Sequence, residues 1–178
     1  MLDLLVNSLR MRPDRIVVGE LRRKQEVEVL LEAMHTGHSV YATFHANTAE
    51  EAIIRMTSPP IELPKKMLSS LSMFLVQNRN RRTGMRRTLQ IAELTSDGDA
   101  RILMQLNAQK DKLEQVNEST KLLQSISLYT GLTRKDILED IKEKQAILKW
   151  MVDKDISDIN DIGRVMAKYY NGQLKVGK

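Results

Sequence analysis

The sequence predicts an α/β fold: a mainly parallel sheet with an antiparallel hairpin at its margin, followed by an all-helical tail. Three observations carry this. Two short apolar runs rich in β-branched and aromatic residues, Ile16 to Val18 and Val40 to Phe44, are each followed by a segment of helical periodicity, and strand, helix, strand, helix at this spacing implies right-handed βαβ connections. Two alternating runs, Arg86 to Leu94 and Ala100 to Leu106, flank Ser96-Asp97-Gly98-Asp99, and Asp-Gly is a strong hairpin signal. Beyond Asn107 the strand signals cease. The expected division is therefore a sheet-bearing region over 1–107 and a helical C-terminal region over 108–178.

In order, Leu2, Leu5, Val6 and Leu9 fall at i, i+3, i+4 and i+7, so the first ten residues form an amphipathic helix that Pro13 ends. Nothing resembling a cap or turn precedes it, which suggests a longer chain upstream. The uninterrupted run Ile16-Val17-Val18 is expected to be covered on both faces, as in a parallel sheet. Val27, Leu30, Leu31 and Met34 repeat the helical spacing with Glu26, Glu28 and Glu32 on other faces, and Gly37 stops that helix. After the second strand, Asn47 or Thr48 opens a helix with Ala52, Ile53 and Met56 on its apolar side. Ser58-Pro59-Pro60 and Pro64 break the pattern, and Lys65 to Leu71 is a short helix leading to a strand at Met73 to Gln77. In the tail, Thr133-Arg134-Lys135-Asp136 reads as a capping box with Asp in place of Glu. Ile137, Ile141, Leu148, Met151 and Val152 follow it periodically. Ser157 or Asp158 caps a last helix bearing Ile159, Ile162, Val165, Met166 and Tyr169, and the end from Gly172 to Lys178 frays. These tail stripes predict a helical bundle.

Composition bounds the function. The 178 residues suffice for a true core, and 42% apolar with 29% charged residues is ordinary for a globular chain. Aromatics are sparse, so aliphatic side chains and ten methionines fill the interior. The absence of cysteine excludes disulfides and thiolate metal sites and fits a reducing compartment. No apolar run approaches the roughly 20 residues of a membrane span, and no signal peptide is recognisable; the expected location is cytoplasmic. The net charge is +5, with Arg79, Arg81, Arg82, Arg86 and Arg87 crowded together. That cluster is either a solvated loop or a patch favouring the phosphates of lipid or nucleic acid.

Both apolar runs end in residues suited to phosphate chemistry, Glu20 and Arg22 after the first, His45 and Asn47 after the second, as at the carboxyl edge of a parallel sheet that binds a nucleotide. Glu20 can hold Mg²⁺ through water or orient an attacking water; it can equally be a surface glutamate at a strand end. His45 can donate to a phosphate oxygen, or be a structural histidine. His35, His38 and His45 lie within eleven residues, but Gly37 separates the first pair and no cysteine completes a zinc set. No Gly-x-x-x-x-Gly-Lys-Ser/Thr loop occurs; the only Gly-Lys is Gly177-Lys178.

Two stretches, Arg12-Pro13-Asp14-Arg15-Ile16-Val17-Val18-Gly19-Glu20-Leu21-Arg22 and Gly37-His38-Ser39-Val40-Tyr41-Ala42-Thr43-Phe44-His45-Ala46-Asn47-Thr48-Ala49, closely resemble the Walker B and His boxes of the secretion ATPase superfamily. These are the hexameric motors of type II and type IV secretion, type IV pili and the archaellum. Arg55-Met56-Thr57-Ser58-Pro59-Pro60 looks like the archaeal branch. The resemblance covers about Leu2 to Ala108 well and the helical tail loosely.

It implies the C-terminal half of a RecA-like P-loop core over 1–107, acting with ATP and Mg²⁺ in the full-length protein. By resemblance, Glu20 matches the Walker B glutamate that polarises water, and His45 the histidine that senses the γ-phosphate. Gly37, His38 and Thr43 shape that box, Gly19 stands where many other P-loop ATPases carry an aspartate, and Arg22 matches a family arginine. The family implies a homo-hexamer working with an inner-membrane platform protein, peripheral to the inner face of the cell membrane, with no specific nucleic acid. The Walker A loop and acidic box lie upstream in the family, so the chain resembles a fragment expected to bind ATP weakly or not at all and to be inactive alone. Two further readings stay open: a P-loop-less assembly or regulatory module, and a RecA-like domain that handles DNA.

Overall fold

The computed structural model describes residues 2–174; the expectation of fraying over 175–178 lies outside the described residues. The chain forms two compact units, one running to Leu122 and the other from Leu123.

The first unit is mixed α/β, in the order α1 (Leu2–Arg10), β1 (Arg15–Val18), α2 (Lys24–His35), β2 (Ser39–Ala42), α3 (Ala49–Thr57), a 3₁₀ turn (Lys65–Ser70), β3 (Met73–Arg79), β4 (Arg86–Leu94), β5 (Ala100–Asn107) and β6 (Lys112–Gln115). Helix α2 follows the predicted stripe. Val27, Leu30, Leu31 and Ala33 are all but inaccessible and form the centre of a cluster with Leu5 of α1, Ile16 and Val18 of β1, and Ile53 and Met56 of α3. Truncating a buried leucine such as Leu30 to alanine costs about 2–5 kcal/mol. Thr48 caps α3 by accepting from Glu51 N at 3.1 Å, which decides between the two candidate caps.

Three expectations are corrected. First, the sheet is not mainly parallel with a hairpin at its edge. β1 and β2 form a two-stranded parallel pair, with Ile16 beside Val40 and Val17 beside Tyr41, and β3-β4-β5-β6 form a separate antiparallel sheet. Second, β1 is covered on one face only. Ile16 and Val18 enter the core while Val17 is 78% exposed and its register partner Tyr41 is 59% exposed. The cause is that α1, α2 and α3 all pack into the one cluster on the Ile16/Val18 side, whereas a parallel sheet hides both faces only when helices lie on both. Third, strand structure continues past Asn107: β6 pairs with β5, Leu113 opposite Leu106. Its short run Lys-Leu-Glu-Gln carries a single apolar residue, too weak a pattern to read alone.

The β4–β5 hairpin is as predicted, turning at Asp97-Gly98. Gly98 adopts φ +79, and a Cβ there would lie 2.2 Å from Lys65 O, so positive φ and close backbone approach both demand glycine. Beside the turn, Lys65 Nζ pairs with Asp99 at 2.6 Å. The antiparallel sheet meets α3 through Ala49, Val76 and Ala92. Buried Gln90 accepts from Ala49 N at 3.0 Å and donates to Gln105 Oε1 at 3.0 Å. The start of α3 is thereby fixed to β4.

The second unit is helical, with the rest of α4 (Lys121–Thr130), α5 (Arg134–Asp153) and α6 (Ile159–Tyr170). The Thr133 capping box forms as read, Thr133 accepting from Asp136 N while Asp136 accepts from Thr133 N. Asp158 caps α6. The expected bundle is less than complete: Ile137, Ile147 and Met151 of α5 are buried, but no residue of α4 or α6 is. Among the described residues no helix is long and apolar enough to cross a membrane.

Candidate functional site

The parallel register sets the ends of β1 and β2 side by side, and their extensions keep the match. Thr43 N donates to Val18 O at 3.3 Å, Leu21 N donates to Thr43 O at 3.0 Å, and Thr43 Oγ1 donates to Gly19 O. Thr43 thus pins the two outgoing segments together by backbone and side chain. Gly19 supplies a carbonyl to this seam; a Cβ at Gly19 would meet nothing within 4 Å, so no local crowding demands glycine there.

Downstream of the seam the carboxylate of Glu20 is engaged on both oxygens. His45 Nε2 lies 3.1 Å from Oε1 and an Arg22 terminal nitrogen 2.5 Å from Oε2. The bond and charge of Arg22, with a further contribution from His45, hold the Glu20 carboxyl below the usual carboxylate range. The Arg22 guanidinium is correspondingly pushed up by Glu20. The partners are loosely held: the Arg22 and His45 side chains are 73% and 79% exposed, that of Glu20 25%.

Each segment is braced from behind. Glu26, read as lying off the apolar stripe of α2, is buried, and its Oε2 accepts from Arg22 N at 3.0 Å and Arg23 N at 3.2 Å. A first-turn glutamate reaching back to free amide groups is a helix-start device, and here it fixes the backbone of Arg22. On the other segment, Glu51 accepts from Asn47 N and Nδ2, both at 2.8 Å. Arg55, one turn along α3, donates to His45 O, lies 3.7 Å from Glu51 and sits over the Phe44 ring at 5.4 Å. Reading the sequence for site residues passed over Arg55; the signal available was its i, i+4 spacing from Glu51 on the helix that follows His45.

Of the residues singled out, Glu20, Arg22 and His45 converge, and Gly19 and Thr43 form the seam beneath them. His38 does not join them: its Nδ1 lies 3.1 Å from Ala33 O and 3.2 Å from Thr36 Oγ1, at the end of α2. His35 Nε2 is 2.7 Å from Ser70 Oγ. The three histidines therefore face three different neighbourhoods. Among the described residues no group of three His, Cys, Asp or Glu could hold a metal ion.

A cavity of about 360 Å³ opens at Glu20, Arg22, His45 and Arg55, walled by Phe44, Ile54, Pro59, Pro60 and Ile61. Two guanidinium groups, an imidazole and one carboxylate above an apolar wall suit a phosphate ester. The phosphate would take the cationic donors, and Glu20 alone would hold Mg²⁺ through water, since Mg²⁺ keeps most of its waters and phosphate oxygens at such sites.

The family model described as "Type II/IV secretion system protein" matches residues 1–143. An uncharacterised protein of Methanocaldococcus jannaschii is 34% identical over 158 residues, covering 84% of this chain and 57% of that protein. Type II secretion system protein E of Pseudomonas aeruginosa is 40% identical over 72 residues, 39% of this chain and 14% of its own length. The X-ray structure of the Legionella pneumophila ATPase DotB covers 53% of this chain and 27% of its own at TM-score 0.43 and 29% identity. The chain thus spans just over half, or far less, of the length of these relatives.

Proposed function

We propose that this chain, which belongs to the type II/IV secretion system protein family, is the part of a hexameric ATP-driven motor that carries the water-activating carboxylate and the phosphate-sensing histidine. The observation that supports this reading is the meeting of Glu20, Arg22 and His45, drawn from two sequence segments, at the ends of two parallel strands. The RecA-like half-core, the archaeal-like branch and the coupling of hydrolysis to secretion or to pilin or archaellin assembly belong to the same proposal. So do the cytoplasmic location at the inner membrane face and the platform-protein partner.

The chemistry follows from how Glu20 is held. Both its oxygens already face a cationic or hydrogen-bonding partner, and the lowered carboxyl makes it a weak base as it stands. Arg22 and His45 are exposed and long enough to turn from the carboxylate to phosphate oxygens, leaving one Glu20 oxygen free to align a water as general base. Arg22 and His45 then neutralise charge on the transferred group, and Mg²⁺, when bound, would supply further neutralisation through water held by Glu20. Thr43 and Glu26 keep the two backbones in register while the side chains move.

The test is Glu20→Gln in the longest natural chain, measured as steady-state ATP turnover. Loss of roughly a hundredfold or more is expected for removing a general base; unchanged turnover rejects the assignment.

A further inference from the structure

Among the described residues the β3–β4 hairpin carries all but one of its arginines without a carboxylate to neutralise them. Arg79 stands directly opposite Arg86, and Asn78 opposite Arg87. Arg87 is satisfied by Asp111, with both contacts at 2.7 Å. Among the described residues Arg79, Arg81, Arg82 and Arg86 have no ion-pair partner. Like charges facing each other across a ladder destabilise it, so the hairpin holds a repulsion that an anion would relieve. The presentation is well defined: Asn80 Oδ1 accepts from Arg82 N at 2.9 Å and Thr83 N at 3.0 Å, and Asn80 N donates to Met85 O at 2.8 Å. Val76 pairs with Gln90 and Gln77 with Thr88, so Leu89 is the extra residue of a bulge in β4, which bends that strand and raises the local twist just before the arginines.

Arg79 and Arg81 of the hairpin line a cavity of about 330 Å³ together with His45, Asn47 and Arg55. Apart from Ala46 the lining is polar. The only ring is the His45 imidazole, so a nucleobase finds no stacking platform of the kind single-strand binders use. Met85 is the one apolar residue between Arg79 and Arg87, which gives a bilayer interior nothing to receive. What the cavity offers is guanidinium forks converging from two elements, the donor set that fits a tetrahedral phosphate.

We propose that this cavity binds a phosphate group, held between Arg79 and Arg81 of the hairpin and Arg55 of α3. It adjoins the Glu20 cavity through His45 and Arg55, which line both, yet it does not include Glu20 and stands whether or not Glu20 drives hydrolysis. Among the described residues two carboxylates compete for groups that line it: Glu51, 3.7 Å from Arg55, and Glu20, 3.1 Å from His45. The phosphate can be free, or the headgroup of a lipid.

The experiment is calorimetric titration of the chain with inorganic phosphate at constant ionic strength, comparing the parent, the double variant Arg79→Gln/Arg81→Gln, and Arg82→Gln, whose residue lies outside the cavity. All three arginines are exposed, and thermal melts verify that each variant folds. Saturable binding is expected, weakened roughly tenfold or more in the double variant by loss of charge-assisted bonds and unchanged in Arg82→Gln. Vesicles of phosphatidylcholine with and without phosphatidic acid identify the source. Vesicle binding that inorganic phosphate displaces and the double variant loses assigns the group to lipid; phosphate binding without vesicle binding assigns it to the free ion. Absence of phosphate binding, equal weakening in Arg82→Gln, or binding only to an oligonucleotide overturns the proposal.

Discussion

Glu20 and Glu93 both sit at sheet margins beside apolar residues, the first after the parallel pair and the second near the end of β4. Their surroundings differ in kind. Glu20 meets two long, exposed side chains, whereas the Glu93 side chain, 3% exposed and with Arg101 at 3.7 Å, accepts its hydrogen bonds from short or immobile donors: Ser119 Oγ at 2.7 Å, Thr120 N at 3.2 Å, Thr120 Oγ1 at 3.1 Å and Lys121 N at 3.3 Å. Two of these are free amides at the start of α4 and two are hydroxyls just before them, so Glu93 acts as a buried helix cap supplied from a sheet. Lys121 completes the junction, its Nζ donating to Ser69 O and, at 2.9 Å, to Leu71 O, with burial pushing its ammonium down. A carboxylate held by rotatable side chains can exchange partners; one held by backbone cannot. The first arrangement serves chemistry, the second anchors a helix.

The largest effect that can break this contrast is on turnover. Glu20→Gln is expected to remove roughly a hundredfold or more of ATP turnover in the full-length protein while leaving the urea midpoint of unfolding unchanged, because its ion pairs are solvent-exposed and contribute little stability. Glu93→Ala should do the reverse. Leaving buried donors unsatisfied costs about 1–3 kcal/mol, read as a lower urea midpoint at unchanged slope, and Glu93→Gln, which keeps an acceptor, should recover part of it. A Glu93→Ala protein as stable as the parent would remove the distinction.

A proton makes a gentler version of the same comparison. Burial opposes the charge on Glu93, but the bonds from Ser119, Thr120 and Lys121 outweigh it and keep the carboxyl below its ordinary range. A carboxyl lowered in the folded state stabilises the fold above its unfolded value, and the contribution disappears as pH falls through the lowered folded value. Urea midpoints measured downward from about pH 5 should therefore decline, and Glu93→Gln should flatten that decline more than Glu20→Gln does. The smallest effect is at the cap of α3. Thr48→Ala should cost about 1 kcal/mol in urea unfolding, and because α3 begins just beyond His45, any accompanying fall in turnover would measure how far the cap positions the histidine.

The sequence made most single elements legible, because α2, α3, α5 and the β4–β5 hairpin each carry a strong local pattern: an apolar stripe, a cap, an Asp-Gly turn. What it hid was decided between elements. That three helices share the Ile16/Val18 face, leaving Val17 and Tyr41 in solvent, is invisible in an apolar run that looks equally suited to burial on both sides. Glu26 read only as a charge off the apolar stripe because periodicity counts side chains and ignores the unpaired amides of Arg22 and Arg23 that draw it inward. Glu93, flanked by Ala92 and Leu94, gave no sign that a helix start more than twenty-five residues later would need it. At the site, Glu20, Arg22 and His45 were readable from their places after strands, and parallel register brought them together. His38 carried the same chemistry in sequence but belongs to the end of α2.

The proposed motor chemistry requires Glu20 and His45 to act as one site, and a double-mutant cycle on ATP turnover measures that coupling directly. With Glu20→Gln, His45→Asn and the pair compared in the longest natural chain, strong non-additivity is expected, the double variant being little slower than Glu20→Gln alone. Independent, multiplicative losses would contradict it.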